Sequence, residues 1–329
     1  MSESPSTKAS TTLWQRFLAA TLPGLTRRIE NMPRQKALAR GAALGRMGWN
    51  LAKKQRRTTL RNLAIAFPEL SPAEREDLAR RCFIHWGKVT MDFLKAPSYD
   101  IETTKALVTN IEGFAEYGIP ALESKKGVVA VTAHLGSFEI FGRYMGLSAI
   151  PLTVIVRAPS DPLFGGYVRR IRESGNYRTI DSYGGPTLRA LLKALKNGEV
   201  VGILPDQNSN DLFVPFFGVP AGTADGASLL AYKTGAPLIP SFCALRPDDT
   251  YEIVIRPPIE VDPKADRAEE LLRTTTLFTQ EIEAAARRWP EQYLWLHNRF
   301  KASFDPQYKD RWPEGFDYEA LKARWENVS

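Results

Sequence analysis

Cysteine, histidine, long apolar runs and, over one long stretch, acidic residues are all scarce in this chain, and each scarcity excludes something. Of its 329 residues only two are cysteine. Cys82 and Cys243 lie far apart and form neither a CxxC pair nor a zinc-ligand spacing. They read as free, buried thiols in a reducing compartment rather than as a disulfide scaffold. With three histidines and no ligand cluster, nothing asks for a metal. No run reaches the ~20 consecutive apolar residues that a membrane-spanning helix needs. The best early stretch, residues 13–25, is broken by Gln15, Arg16 and the Pro23-Gly24 pair. Residues 1–10 are polar, read as disordered, and lack the basic flank and cleavage site of a signal peptide. A GxSxG nucleophile motif is also missing, which disfavours a covalent acyl-enzyme.

Between residues 31 and 68 there is no Asp or Glu, but there are nine basic residues: Arg34, Lys36, Arg40, Arg46, Lys53, Lys54, Arg56, Arg57 and Arg61. Removing that +9 from the net charge of +7 leaves −2 for the rest, so the basicity belongs to one segment. Such a block suits nucleic acid or an anionic membrane. Near an anionic leaflet each basic side chain is worth about 1 kcal/mol, so half of these would hold a protein at a surface. On a helical wheel the charges do not gather on one narrow face. Just upstream, Trp14, Phe17, Leu18 and Leu22 recur at roughly helical spacing. They predict a short amphipathic element that either lies in a membrane interface or packs on the protein's own core.

What is present is an ordinary folded composition, with 43% hydrophobic and 25% charged residues, which excludes a disordered or fibrous chain. From residue 11 to about 105 the pattern is helical. Ser71-Pro72-Ala73-Glu74 predicts a helix start, with Ser71 as N-cap, Pro72 at the first position and Glu74 closing a capping box. Near residue 125 the period changes. Strands are predicted over 128–132, 152–157, 200–204, 238–245 and 251–256. Helices are predicted over 137–147, 161–174, 186–197, 223–234 and 267–288. This alternation predicts an α/β fold: a central mixed or largely parallel sheet flanked by helices, behind an N-terminal helical region. We divide the chain into a disordered 1–10, a helical, membrane-associating 11–105 and an α/β body over 106–329.

The chemistry-bearing stretch is Ala133-His134-Leu135-Gly136-Ser137-Phe138-Glu139, directly after the first buried strand. Active sites of α/β folds gather at such strand ends. Residues five apart on one helix point about 140° away from each other. His134 and Glu139 therefore meet only if His134 sits in the loop and Glu139 in the first turns of the helix, with Gly136 supplying the bend. An imidazole held by a carboxylate is a general base for a hydroxyl. A pairing of His134 with Glu139 would fit direct attack by an acceptor hydroxyl, while the spacing alone also allows a purely structural His and Glu.

The H-x4-E spacing resembles the H-x4-D/E motif of glycerolipid and lipid A acyltransferases. Further blocks follow in order: Arg61-Asn62-Leu63-Ala64-Ile65-Ala66-Phe67-Pro68-Glu69-Leu70, the His134 motif, Val156-Arg157-Ala158-Pro159, Arg169-Arg170-Ile171-Arg172, Leu204-Pro205-Asp206-Gln207, Val214-Pro215-Phe216-Phe217-Gly218, and Pro290 through Arg299. Together, from about residue 50 to residue 303, they resemble the bacterial lipid A biosynthesis (lauroyl/myristoyl) acyltransferase family, which includes the mycobacterial phosphatidylinositol mannoside acyltransferases. Ser137-Phe138 stands where relatives often carry Asn-Trp, and no obvious transmembrane helix opens the chain as it does in many of them.

The resemblance implies an acyl group moved from an acyl thioester, on acyl carrier protein or coenzyme A, to a hydroxyl of a lipid-linked sugar such as a lipid A precursor. It implies no cofactor beyond that co-substrate. His134 and Glu139 would be catalytic, as base and orienting partner, and Gly136, Arg157, Arg170, Arg172, Asp206, Gln207, Phe216 and Phe217 would meet substrate. Arginine suits phosphate or a developing oxyanion, because the guanidinium forks onto two oxygens. Phe216 and Phe217 would line an acyl groove, while His297 and Trp295 read as structural. The expected partners are an anionic inner-membrane surface, the acyl donor and a phosphorylated glycolipid, with a peripheral or monotopic location on the cytoplasmic face. The alternatives are another glycolipid or aminolipid acceptor, a non-catalytic lipid-binding relative, and a nucleic-acid binder, for which no accompanying motif speaks.

Overall fold

The computed structural model describes residues 24–156, 161–181 and 185–326. Arg157 and the greater part of the amphipathic element predicted over 13–25 lie outside them. Behind a helical stretch over 24–30 come three longer helices: α1 (Arg34–Leu51), α2 (Lys53–Ala66) and α3 (Pro72–Lys95). The capping box predicted at Ser71 is present: the Glu74 N–H donates to Ser71 Oγ at 3.3 Å, and the Ser71 N–H donates to Glu74 Oε2 at 2.8 Å. Helices α1 and α3 approach closely through Gly41, where an added Cβ would sit 2.4 Å from the Gly87 carbonyl oxygen. Arg34 of α1 pairs with the fully buried Asp92 of α3 at 2.6 Å, and Asp92 also accepts from the hydroxyls of Tyr99 and Tyr251. That cluster ties the helical region to the sheet.

Seven strands form the main sheet, in the order β1 (Val108–Glu112), β9 (Tyr251–Ile255), β8 (Leu238–Leu245), β2 (Val128–Val131), β5 (Val200–Ile203), β3 (Leu152–Val156) and β4 (Arg178–Asp181). Neighbours run parallel except β8 and β9, so the sheet is mixed and mostly parallel, as expected. Covered on both faces, β2, β5 and β8 are buried along their whole length, which explains their unbroken apolar runs. A hairpin of β6 (Leu212–Phe216) and β7 (Val219–Thr223) stands apart as a second, two-stranded sheet.

Further helices are α4 (Ile101–Leu107), α5 (Ile119–Glu123), α6 (Phe138–Leu147), α7 (Pro162–Glu173), α8 (Gly185–Lys196), α9 (Gly226–Thr234), α10 (Arg267–Arg288) and α11 (Tyr318–Glu326). One core face joins Trp49, Leu63 and Phe83 of the first helices to Val129 and Val131 of β2 and to Phe278 of α10. The N-terminal helices thus share their core with the α/β body. The other face gathers Ile140 and Phe141 of α6 with Ala130, Ile239 and Ile253. Every predicted strand forms within a residue or two. The structure adds β1 and β4, which carry no comparable apolar run, and the β6–β7 hairpin, whose apolar residues are interrupted by Pro215 and Pro220.

Candidate active site

β2 and β5 pair in parallel with Val128 opposite Val200 and Val131 opposite Ile203, a constant offset of 72 residues. Three residues beyond each strand end stand His134 and Asp206, at the same offset. Their side chains meet: His134 Nδ1 lies 2.8 Å from Asp206 Oδ1, and the His134 backbone N–H donates to Oδ2 at 2.9 Å. Both carboxylate oxygens therefore hold the one residue, and the carboxylate is only 3% exposed. Burial alone would raise the Asp206 carboxyl, but the His134 charge, its hydrogen bonds and Arg299 outweigh that and hold it below the usual range. An ionised Asp206 accepts from Nδ1–H, which leaves the lone pair on Nε2. There the Gln207 amide approaches at 3.3 Å.

The expected contact between His134 and Glu139 is not formed, and this corrects the reading from spacing. Glu139 does occupy the first turn of α6, but its oxygens face α7 and β4. Arg172 Nη2 donates to Oε1 at 2.6 Å and Arg172 Nε to both oxygens at 3.1 and 3.2 Å, while the Tyr177 hydroxyl donates at 3.0 Å. Burial pushes the Tyr177 hydroxyl well above the ordinary tyrosine value, and the Glu139 charge adds to it. Burial works against the Arg172 charge, but the Glu139 charge and hydrogen bonds prevail and raise its pKa. A two-oxygen fork onto arginine outcompetes a single bond to an imidazole.

His134, Glu139, Arg172, Tyr177 and Gln207 all line one cavity of about 1000 Å³ over the β2–β5–β3 part of the sheet. Inward from His134 its wall turns apolar, with Phe141, Met145, Leu152 and Val154, and Gly202 widens the floor. Thr132 lines it too, 7% exposed, with a hydroxyl that bonds to no other described residue.

The other expected site residues go elsewhere. Gly136 has φ +58°, and a Cβ there would lie 1.9 Å from the Cys243 carbonyl oxygen, so its role is to let the His134 loop lie against β8. Arg170 is exposed and pairs with Glu30 at 3.3 Å. Phe216 and Phe217 are buried among Tyr293, Trp295 and Phe67 and do not line that cavity, because the β6–β7 hairpin packs into the core with Phe278 and Ile282 of α10. The acyl-groove role predicted for them finds no cavity beside them among the described residues.

The C-terminal block builds the back of the site. Leu294 N–H donates to the His134 carbonyl at 2.9 Å, and Gly136 N–H to the Gln292 carbonyl at 3.1 Å. His297 Nε2 accepts the Asn208 N–H at 3.0 Å, fixing the loop that carries Asp206 and Gln207. Burial lowers the His297 pKa, as its acceptor role requires. Asn62 of α2 donates to the carbonyls of Trp295 at 2.8 Å and His297 at 2.6 Å. Two blocks remote in sequence thus support one loop. Arg299 is fully buried, donating to the Gly222 carbonyl and, at 2.6 Å, to Thr223 Oγ1.

Comparison with known proteins places the chain in a family. The family model for bacterial lipid A biosynthesis acyltransferases matches residues 6–302. The lipid A biosynthesis lauroyltransferase of Escherichia coli is 31% identical over 266 residues, covering 79% of this chain and 84% of that protein. The palmitoleoyltransferase of the same organism is 29% identical over 79% of this chain and 83% of its own length. A Mycobacterium tuberculosis phosphatidylinositol mannoside acyltransferase is 23% identical over 48% of this chain and 51% of its own. Among solved structures, the 1-acyl-sn-glycerophosphate (LPA) acyltransferase PlsC of Thermotoga maritima aligns at 17% identity with a TM-score of 0.36, covering 75% of this chain and 99% of that one. With nearly the whole chain matched by one family, this protein is an O-acyltransferase of the bacterial lipid A biosynthesis acyltransferase family.

Proposed function

We propose that the protein transfers a fatty acyl group from an acyl thioester to a hydroxyl of a phosphorylated, lipid-linked sugar of the lipid A precursor type. The supporting observation is the His134–Asp206 pair at the rim of a cavity whose inner wall is hydrocarbon. The acceptor hydroxyl replaces the Gln207 amide at His134 Nε2 and gives up its proton there as its oxygen attacks the thioester carbonyl. Asp206 holds the ring orientation and stabilises the imidazolium. The tetrahedral oxyanion collapses, the C–S bond breaks, and the leaving thiolate takes the proton back from Nε2 as a thiol. Ester, thiol and neutral histidine result, and no metal or redox cofactor enters the balance.

Glu139 and Arg172 act here as a fixed ion pair in the cavity wall beside the attacking centre. Phosphate on the acceptor and the acyl carrier protein or coenzyme A donor are both anionic, which suits the net positive charge. Membrane attachment is part of the reading. Leu44, Met47 and Leu51 are exposed along α1, interleaved with the exposed Arg40 and Arg46 and followed by Lys53 and Lys54. Apolar side chains framed by cations suit the interface of an anionic bilayer, and among the described residues no helix is long and apolar enough to cross one. We place the enzyme on the cytoplasmic face of the inner membrane, where both donors occur.

The test offers purified enzyme in detergent labelled acyl carrier protein and acyl-coenzyme A with a phosphorylated lipid A precursor. Transfer that disappears in His134→Ala with thermal stability retained supports the reading. Undiminished transfer in that variant refutes the mechanism. Transfer to another glycolipid or an aminolipid alone would keep the chemistry and correct the acceptor.

A further inference from the structure

Proton transfer at His134 leaves one demand of the proposed reaction unmet: the tetrahedral oxyanion needs a hydrogen-bond donor. Most donors near His134 are committed. The backbone N–H groups of His134, Leu135, Gly136 and Ser137 donate to Asp206 Oδ2 and to the carbonyls of Ala133, Gln292 and Cys243, in that order. Arg172 and the Tyr177 hydroxyl donate to Glu139. The Thr132 hydroxyl belongs to the cavity wall, but its oxygen is sealed from solvent. Gln207 differs. Its side chain is exposed and lines the cavity, and among the described residues its amide has one partner, His134 Nε2, at 3.3 Å. Because Nδ1–H points at Asp206, Nε2 is an acceptor, and the end of the amide facing it is the NH2. The chain on either side is pinned. The Asp206 carbonyl accepts from the Tyr293 hydroxyl at 3.3 Å, and the Asn208 N–H donates to His297 Nε2 at 3.0 Å. A fixed loop thus presents one lightly held amide to the reacting atoms.

We infer that the Gln207 side-chain NH2 donates to the thioester oxyanion, which makes Gln207 a catalytic residue. The inference rests on the proposed acyl transfer at His134. Once the acceptor hydroxyl takes Nε2, the displaced amide lies beside it. The attacking oxygen bonds to the carbonyl carbon, and the carbonyl π pair moves onto the oxygen two bonds away. An amide that reached Nε2 beforehand reaches that oxygen by small side-chain rotations. It exchanges a long bond to a neutral imidazole for a bond to an anion. The interaction therefore strengthens as charge appears, and it favours the transition state over the bound substrates. On collapse the π pair re-forms the carbonyl, the C–S bond breaks and the thiolate takes the proton from Nε2. The amide keeps both of its protons and returns to Nε2.

The experiment uses Gln207→Leu, which keeps the size of the side chain and removes the NH2. Single-turnover thiol release with saturating thioester and acceptor is expected to fall by about 10²–10³. KM for either substrate should change at most severalfold, and melting should match the parent, because the side chain is exposed. A second readout separates an oxyanion partner from a residue that only positions His134. It compares binding of two unreactive acyl-thioester analogues. One carries a trifluoromethyl ketone, whose hydrate is tetrahedral, and the other a thioether without a carbonyl. The parent should bind the ketone more tightly, and Gln207→Leu should lose that preference while binding the thioether as the parent does. A Gln207→Leu rate within about threefold of the parent overturns the inference alone and passes the oxyanion to the N–H groups of the first turn of α6. A slow variant that keeps the ketone preference also overturns it, since Gln207 then acts only through His134. No transfer by the parent enzyme from any acyl thioester overturns the acyl-transfer reading beneath it.

Discussion

Replacing Asp206 by Asn tests the site most sharply, because it keeps shape and removes one charge. The carboxylate stands 2.8 Å from His134 Nδ1, almost without solvent. As the acceptor hydroxyl gives up its proton the ring becomes a cation. At that distance, with an effective dielectric of about 20, the attraction lost is on the order of 4–6 kcal/mol. Each ~1.4 kcal/mol is a factor of ten in rate, so the turnover number should fall by roughly 3–4 decades. The two donors also meet different carboxylate oxygens, so in an amide one of them faces an NH2 rather than an acceptor. Presenting its NH2 instead favours the wrong ring tautomer. The assay is single-turnover thiol release with saturating acceptor, accompanied by thermal melting. A folded Asp206→Asn enzyme within about tenfold of the parent, beside an inactive Glu139→Gln enzyme, would refute the reasoning. Glu139 would then be the partner of His134 in the working complex. The pH dependence of stability adds a check. The folded Asp206 pKa is depressed, so its stabilisation is fully present above the unfolded value of about 4 and is lost as pH falls through the lower folded value. The melting difference between parent and Asp206→Asn should narrow on acidification below pH ~4.

Glu139→Gln should destabilise by about 2–3 kcal/mol in denaturant titration, since it leaves the mostly buried Arg172 without its counter-ion. Pairing it with Arg172→Met should recover much of that loss, and additive losses would mean the two do not interact. Gly136→Ala should cost at least about 3 kcal/mol, combining a left-handed backbone with a collision against the Cys243 carbonyl, and normal melting would contradict the loop geometry. Thr132→Val, which removes a buried hydroxyl without a described partner, should keep or raise stability by up to about 1 kcal/mol. A fall of 2 kcal/mol or more would show that the hydroxyl has a partner in the folded enzyme.

What the sequence by itself determined is local. The alternation of buried apolar runs with amphipathic stretches marked five strands and the helices between them, because burial on both faces of a sheet and on one face of a helix leaves different periods. Ser71 and Glu74 marked a helix start for the same reason, their bonds spanning three residues. The His134 motif announced a site at a strand end. Strands β1 and β4 escaped because they are mostly exposed or half-buried, and β6 and β7 because Pro215 and Pro220 interrupt runs whose burial depends on packing that no short window shows. The pairing within the site was decided by tertiary structure. Parallel registry of β2 on β5 carries Asp206 to His134 across 72 residues, while Glu139, five residues away, is drawn off by Arg172 of α7 and Tyr177 before β4. Spacing along a chain limits which side chains can meet. Which of them do meet depends on strand order and on the strongest charge partner in reach, and the cavity under α6 exists only once that helix lies across the sheet.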